Sequence, residues 1–242
     1  MLAEFVNSLG SSKVTIQDNV QTLKVFSVDN HAEFVVISAD DFPAVPKSEK
    51  EPSIVLNALD FAKGISRSTI AAAIDESRPV LAGILLESEN DYLKMVGIDG
   101  FRLSKVDIKM TKAPEEAFKF IVPAKSLQEL ERITKDVATE KDDVEVYLLG
   151  EKNQIIFKVN DTELSSRLIE GEFPNYNDII PKEKTNSFIS LKSDLEKSSK
   201  IIMIFAKNVI GNKTKFAINA TEKKLKLSTG VIDVGNNESS ID

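Results

Sequence analysis

SIVLNALDFAKG at residues 53–64 and SFISLKSDLEKS at residues 187–198 are one passage written twice, 134 positions apart. Serine opens both, apolar residues follow, and Asp60 and Lys63 fall in register with Asp194 and Lys197. Two further pairs keep nearly the same offset. DDFPAVP, with Phe42-Pro43, matches GEFPNYNDIIP, with Phe173-Pro174, at 131. NDYLKMVGI, with Leu93-Lys94-Met95, matches EKKLKLSTG, with Leu225-Lys226-Leu227, at 132. Three matches in order at one period define a repeat of about 132 residues, the size of a domain rather than of a solenoid unit. The 242-residue chain then divides into three. Residues 1–50 are the back half of a first unit, 51–182 a complete unit, and 183–242 the front half of a third.

Within the complete unit the pattern predicts two similar halves. Residues 57–74 read as a helix, with Leu59, Ala62, Ile65, Ala72 and Ala73 among its apolar positions. Strands are expected at 80–87, 92–97 and 101–110, the last two joined through Asp99-Gly100, a hairpin dipeptide. A second helix is expected from Pro123, as first helical residue, to about Val137. Strands follow at 144–149, 154–159 and 162–169, the first pair turning through GEKN at 150–153. Val144, Val146 and Leu148 alternate with Glu145 and Tyr147, as in a half-buried strand. Further short strands complete an α+β unit with antiparallel sheets and two helices on one side.

Composition narrows the function classes. Hydrophobic residues are 42% and charged residues 29%, enough apolar material for a core. No apolar run approaches a membrane span, and the N-terminus lacks the pattern of a secretory signal. Cysteine is absent, which removes disulfides and thiolate chemistry and fits a reducing cytoplasm. One histidine, His31, leaves no material for a Ser-His-Asp triad or a histidine metal site. Net charge −7 argues against coating nucleic acid with the whole surface, but a local basic strip remains compatible with it.

No phosphate-binding, dinucleotide-binding, metalloprotease or hydrolase motif is present, so no catalytic residue, cofactor or metal is expected. Asp40-Asp41 and Asp142-Asp143 read as solvated turn residues, and His31 as a surface residue at a hairpin turn. The helices are more informative. Lys125, Gln128, Arg132 and Lys135 share one face of the second helix, opposite Leu127, Leu130, Ile133 and Val137. Glu129 and Asp136 border that stripe. Lys63 and Arg67 share a face of the first helix. Residues 191–215 carry six lysines, Lys197 and Lys200 among them, against two carboxylates. A cationic surface repeated on related helices suits sequence-independent contact with phosphates.

RLIEGEFPNYNDIIPKE at 167–183 resembles the segment that joins the second and third domains of the bacterial sliding clamp, the beta subunit of DNA polymerase III. GIDGFRLSK at 97–105 resembles that family's second-domain hairpin, and IVPAKSLQEL and ISADDFP match in order and spacing. The resemblance implies three such domains per subunit and two subunits joined head-to-tail in a ring. It implies helices lining the hole, double-stranded DNA inside it, and a non-catalytic, cytoplasmic role in processive replication. Lys63, Arg67, Lys125, Gln128, Arg132, Lys135, Lys197 and Lys200 would then face DNA. The family also holds short peptides of the polymerase alpha subunit, the clamp loader and other partners in a pocket. Carried over position by position, that pocket is Arg78 and Leu81, then Ile98, Gly100, Phe101, Arg102 and Leu103, then Pro174, Tyr176, Asp178 and Ile179. Two positions depart from the family: Ile98 stands where threonine is common, and Asp178 where a basic residue is common. Asp75 and Pro79-Val80 match positions that approach DNA, without the usual polar or aromatic side chains. Three periods need about 396 residues, so both ring-closing surfaces are expected in the parts this chain does not contain. The alternative expectation is a clamp-derived peptide-binding module that does not close around DNA.

Overall fold

In the computed structural model, the described residues are 1–241 except 11, 12, 20, 42–50, 76, 150–152, 184, 208–212 and 232–234. Two compact units are present, Met1–Glu49 and Lys50–Asp242. The first holds helix α1 (Leu2–Ser8) and strands β1 (Thr15–Asn19), β2 (Thr22–Phe26) and β3 (His31–Val35) in an antiparallel meander. Its only residue fully shielded from water among those described is Val25, and Phe5 meets Phe34 edge-on at 5.8 Å.

The second unit contains the complete repeat. Strands β4 (Ile54–Asn57), β5 (Gly83–Glu89), β6 (Tyr92–Ile98), β7 (Leu103–Lys112), β8 (Lys119–Pro123), β9 (Asp143–Leu149), β10 (Gln154–Val159) and β11 (Thr162–Arg167) form one antiparallel sheet. Its order is β11-β10-β9-β4-β7-β6-β5-β8, so β4 is the bridge between two meanders. It pairs with β9 in straight register and with β7 through an irregularity between Val55 and Leu56. Helices α2 (Ala58–Thr69) and α3 (Ala124–Val137) pack on each other and on this sheet. Asn57 caps α2 by accepting from the Asp60 amide at 3.1 Å. Phe61 and Ile65 from α2 and Leu127 and Leu130 from α3 close the core over Ile54, Ile84, Met95, Val144 and Phe157. The Phe61 and Phe157 rings stand 5.9 Å apart. Gly97 allows the close approach of sheet and helix: a Cβ there would lie 2.4 Å from the Ser68 carbonyl oxygen.

Beyond this sheet lie helix α4 (Lys192–Ala206) and strands β12 (Lys215–Asn219), β13 (Lys224–Val231) and β14 (Gly235–Ile241), a third antiparallel meander. Ile202 joins Leu225, Leu227 and Ile241 in a small core.

Several boundaries shift from the sequence expectation. α2 ends at Thr69 rather than 74, and residues 79–82 form a 3-10 turn before β5. Leu81 is needed there to close an apolar cluster, and its carbonyl receives the Ala73 amide at 2.8 Å. Pro123 ends β8 and caps α3 in an extended conformation instead of occupying its first turn. Val137 is exposed at 42%, while the polar Thr134 is fully buried on α3's inner face. Tyr147, expected on the polar face of β9, is 9% exposed and donates to Glu145 at 2.6 Å. β4 and β8 were among the strands left unplaced by periodicity. The segment carrying Phe42-Pro43 and residues 150–152 of the GEKN turn lie outside the described residues.

Candidate functional site

Strands β5, β6 and β8 are apolar on both faces, and that places a second cluster opposite the helices. Ile84 and Leu86, Leu93 and Met95, and Val122 point to the helix-covered core. Their neighbours Leu85, Val96, Ile98 and Ile121 point the other way. A strand of a two-layer domain needs one apolar face; two mean that something else covers the second. Here residues 168–179 do so, pinned by the Ile169 amide on the Ile121 carbonyl at 2.8 Å. Phe173 and Tyr176 enter the cluster, at 4% and 3% exposure. The Tyr176 hydroxyl donates to Glu87 at 2.8 Å. Burial first, then that bond to an anion, pushes its pKa up to about 12, so it is neutral across the working range.

The expected peptide-pocket residues separate into a floor and a rim. Leu81, Ile98 and Tyr176 are buried in this cluster, with Leu103 packed against it. Pro174 is half-buried beside Phe173 in the covering segment. Arg78, Gly100, Phe101, Arg102, Asp178 and Ile179 are exposed on the turns that carry those floor residues. Phe101 and Ile179 leave large apolar side chains in water, at 54% and 55%. The 99–102 tip is rigidly tied. Asp99 accepts from the amides of Phe101 and Arg102 at 2.9 and 3.0 Å and pairs with the Arg102 guanidinium at 2.9 Å. Gly100 supplies the positive φ of +91° that the tip requires. Asp178 is held by Asn175 at 2.7 Å, and Lys213 sits 5.3 Å above the Phe101 ring. Sequence reasoning missed Val80, Val96, Ile121 and Phe173, all part of the same cluster. The two-faced apolar pattern of β6, LKMVGI, was the signal that could have found Val96; Glu87 had none.

The helix-face cations are exposed, as a phosphate-contacting surface requires, but most are neutralised locally. Arg132 binds Glu129 at 2.6 Å and Asp136 at 3.3 Å, and Lys135 binds Glu131 at 2.5 Å. Lys63 pairs with Asp60 at 3.0 Å and Lys200 with Glu196 at 2.7 Å. Among the described residues Arg67 and Lys197 form no ion pair. The expected cationic stripe on α3 is thus an ion-paired network, a form of surface pairing that contributes little to stability and yields easily to a stronger anion. Lys125 and Gln128 line a cleft of about 360 Å³ with Ala72, Ile74, Pro79 and Ile169. Asp75, at its margin, is tied to Ser77 through its amide at 2.9 Å and its hydroxyl at 2.6 Å.

Asp142 receives the Thr139 amide and hydroxyl at 2.7 and 2.8 Å, so it closes a turn. Asp40 and Asp41 lie in a 3-10 turn, and His31 opens β3 with its ring stacked on Phe26 at 6.2 Å. Among the described residues no cluster of three metal-ligating side chains occurs, and no helix is long and apolar enough to cross a membrane.

Residues 55–175 match the family described as the DNA polymerase III beta subunit, central domain. The chain is 27% identical to the beta sliding clamp of Synechococcus elongatus over 243 residues, spanning 100% of this chain and 64% of that protein. It is 26% identical to the beta sliding clamp of Bacillus subtilis, spanning 96% of this chain and 60% of that one. The fold superposes on the DNA polymerase sliding clamp of Bacillus subtilis with TM-score 0.79 at 21% identity, covering 99% and 62% of the two chains. It superposes on a protein of Eubacterium rectale, described as a putative DNA polymerase III beta subunit, with TM-score 0.75 at 26% identity, covering 100% and 64%. The chain therefore spans less than two thirds of the length of these relatives.

Proposed function

The chain belongs to the family of DNA polymerase III beta subunits, and from that membership we propose that it is part of a sliding clamp that encircles double-stranded DNA and tethers the replicative polymerase. The observation that carries the reading is the match along the whole chain to beta sliding clamps. The role is non-catalytic: the clamp contributes topology and weak phosphate contact, and the partner polymerase contributes chemistry. In this reading residues 1–50 close a first clamp domain, 51–182 form the second and 183–242 open the third. Homodimeric ring closure, the clamp loader and cytoplasmic location belong to the same proposal.

The helix faces bearing Lys63, Arg67, Lys125, Gln128, Arg132, Lys135, Lys197 and Lys200 are assigned to DNA. Their cations are exposed and spread over three helices, which gives attraction without sequence readout and so permits sliding.

The floor and rim around Leu81 are assigned to partner peptides. An apolar floor of Leu81, Ile98, Leu103 and Tyr176 beside exposed Phe101 and Ile179 suits an apolar anchor residue entering a preformed groove. Arg78, Gly100, Arg102, Pro174 and Asp178 frame it. Fluorescence polarisation with a labelled clamp-binding peptide of the polymerase alpha subunit tests the assignment. Leu103→Ala, at a half-buried position, is expected to weaken binding about tenfold, the ~1.4 kcal/mol typical of a contributing anchor contact. Unchanged affinity in that variant would place the pocket elsewhere.

A further inference from the structure

Three alternate residues of β5 face the segment that covers its outer side: Gly83, Leu85 and Glu87. Gly83 leaves room for Ile169, since a Cβ there would lie 2.8 Å from the Ile169 Cδ1. Leu85 is buried in one cluster with Phe173 and Tyr176. Glu87 accepts the Tyr176 hydroxyl at 2.8 Å. The two ends of the covering segment are held differently. Upstream, the Leu168 amide donates to the Asn153 carbonyl at 3.0 Å and the Ile169 amide to the Ile121 carbonyl at 2.8 Å. The Asn153 side chain also donates to Glu170 at 3.1 Å. Downstream, from Gly171 to Pro181, the Tyr176–Glu87 bond is the one hydrogen bond to a described residue outside the segment.

We infer that Glu87 is a positioning residue for the peptide pocket: through Tyr176 it holds residues 174–179 where they frame a bound peptide. The inference rests on the pocket reading above and adds a residue that touches no peptide in it. Burial of the Phe173 and Tyr176 rings draws the segment onto the sheet, but that force is non-directional. A hydrogen bond restricts both distance and angle, so it selects one placement, and a carboxylate acceptor makes it one of the stronger kind. Glu87 is itself well anchored. Its strand lies between β6 and β8, with Lys94 and Lys119 as its direct cross-strand neighbours. The rim then follows Tyr176 closely. Tyr176 and Asp178 share one short 3-10 turn, and the Ile179 amide donates to the Tyr176 carbonyl at 3.2 Å. Asn175 closes the turn by donating to Asp178 at 2.7 Å. Pro174, two residues before Tyr176, is carried by the same turn. Without the bond the segment shares its time among placements, and apparent affinity falls by the fraction spent in the competent one.

Fluorescence polarisation with the labelled alpha-subunit peptide, joined to residue-resolved hydrogen exchange of the 242-residue chain, tests the inference. Glu87→Ala is expected to weaken peptide binding about tenfold, as when the competent placement is held a tenth of the time. The Ile179 amide should exchange faster, while the Ile169 amide, tied at the other end, keeps its wild-type rate. Loss of fold stability alone would speed both. Glu87→Gln keeps an acceptor oxygen in place and is expected to restore most of the affinity. Tyr176→Phe keeps the buried ring, loses only the hydroxyl, and is expected to match Glu87→Ala. The double variant is expected to bind no worse than either single one, because both remove the same bond. Additive losses in the double variant, or equal speeding at Ile169 and Ile179, would overturn the inference. Leu103→Ala, measured alongside, separates it from the pocket reading. If Leu103→Ala weakens binding and Glu87→Ala does not, the inference alone falls. If Leu103→Ala binds as wild type does, the pocket lies elsewhere and the inference falls with it.

Discussion

Residues 53–112 and 187–241 are built from one pattern, yet the first packs its bridging strand β4 away from water and the second leaves most of the matching residues exposed. In the first, Ile54 and Leu56 are 1% and 0% exposed, because β4 lies between β7 and β9 under two helices. In the second, Phe188 occupies the position of Ile54 and Ser190 that of Leu56, and Phe188 is 41% exposed while Ser190 is only half-buried. Strand character is therefore not a local property of SIVLN or SFISL. It arrives when neighbours on both sides satisfy the backbone and cover the side chains. The half-unit still folds its meander, since β12–β14 need only each other, but it holds a core of four buried side chains among the described residues. The whole repeat is the cooperative unit, and the strand that decides it is the bridge.

The largest test of that comparison is truncation in each core. Phe61→Ala empties a fully buried site and is expected to cost about 3–5 kcal/mol. Leu227→Ala, equally buried but in the small open core, is expected near the low end for leucine, about 2 kcal/mol, because a thin core relaxes into the space. Denaturant unfolding followed by residue-resolved hydrogen exchange separates the two segments. Equal losses, or slower exchange in β13 than in β6, would break the comparison.

That contrast marks how far the sequence was legible. The meanders and helices of residues 80–169 lay in period and turn signals, and Asp99-Gly100 marked the β6–β7 tip. β4 was not placed, because four residues followed directly by a helix cap give no period to read. The 3-10 turn at 79–82 was hidden because Pro79-Val80-Leu81 reads as strand until a tertiary cluster claims Leu81. The pocket residues came from resemblance; what the residues alone offered was a strand apolar on both faces. The ion pairing of α3 was half visible, since Glu129 and Asp136 border the stripe, but which rotamers meet is set only in three dimensions.

The next test compares paired with unpaired cations. Arg67→Ala combined with Lys197→Ala removes two charges without carboxylate partners and is expected to lower the slope of log affinity against log salt by about 2 for duplex DNA. Glu129→Gln with Asp136→Asn frees Arg132 and is expected to steepen that slope by about 1. Retention of a labelled duplex at low salt reads both. If neither changes, these helix faces do not meet DNA.

A smaller effect is expected inside the complete core. The Thr134 hydroxyl is the one buried side-chain polar atom among the described residues without a hydrogen-bond partner, while Ser68, Thr69, Ser88 and Ser166 are buried and bonded. Thr134→Val keeps the shape and removes the unmatched group, and a gain of about 1 kcal/mol in thermal or denaturant unfolding is expected. A loss instead would mean that the hydroxyl is bonded in solution, and that the contrast between the two cores is one of size alone.

The smallest test addresses the hairpin tip that frames the rim of the pocket. Burial works to raise the pKa of Asp99, but the amides of Phe101 and Arg102 and the Arg102 guanidinium outweigh it, leaving the carboxyl below its ordinary value. A depressed folded pKa means stability that is present above the unfolded value and lost as pH falls through the folded one. The tip is therefore expected to hold at neutral pH and to loosen only below about pH 4, at a cost under ~1 kcal/mol for a pair this close to solvent. Amide shifts of Phe101 and Arg102 should move together in that window, with those of Leu225 and Leu227 unmoved. In Asp99→Asn the same amides should lose the low-pH transition and peptide affinity should fall slightly at neutral pH. The third segment then serves as the internal control. If its amides titrate with the tip, the acid effect is global unfolding, and the local turn is not the weakest part of the complete unit.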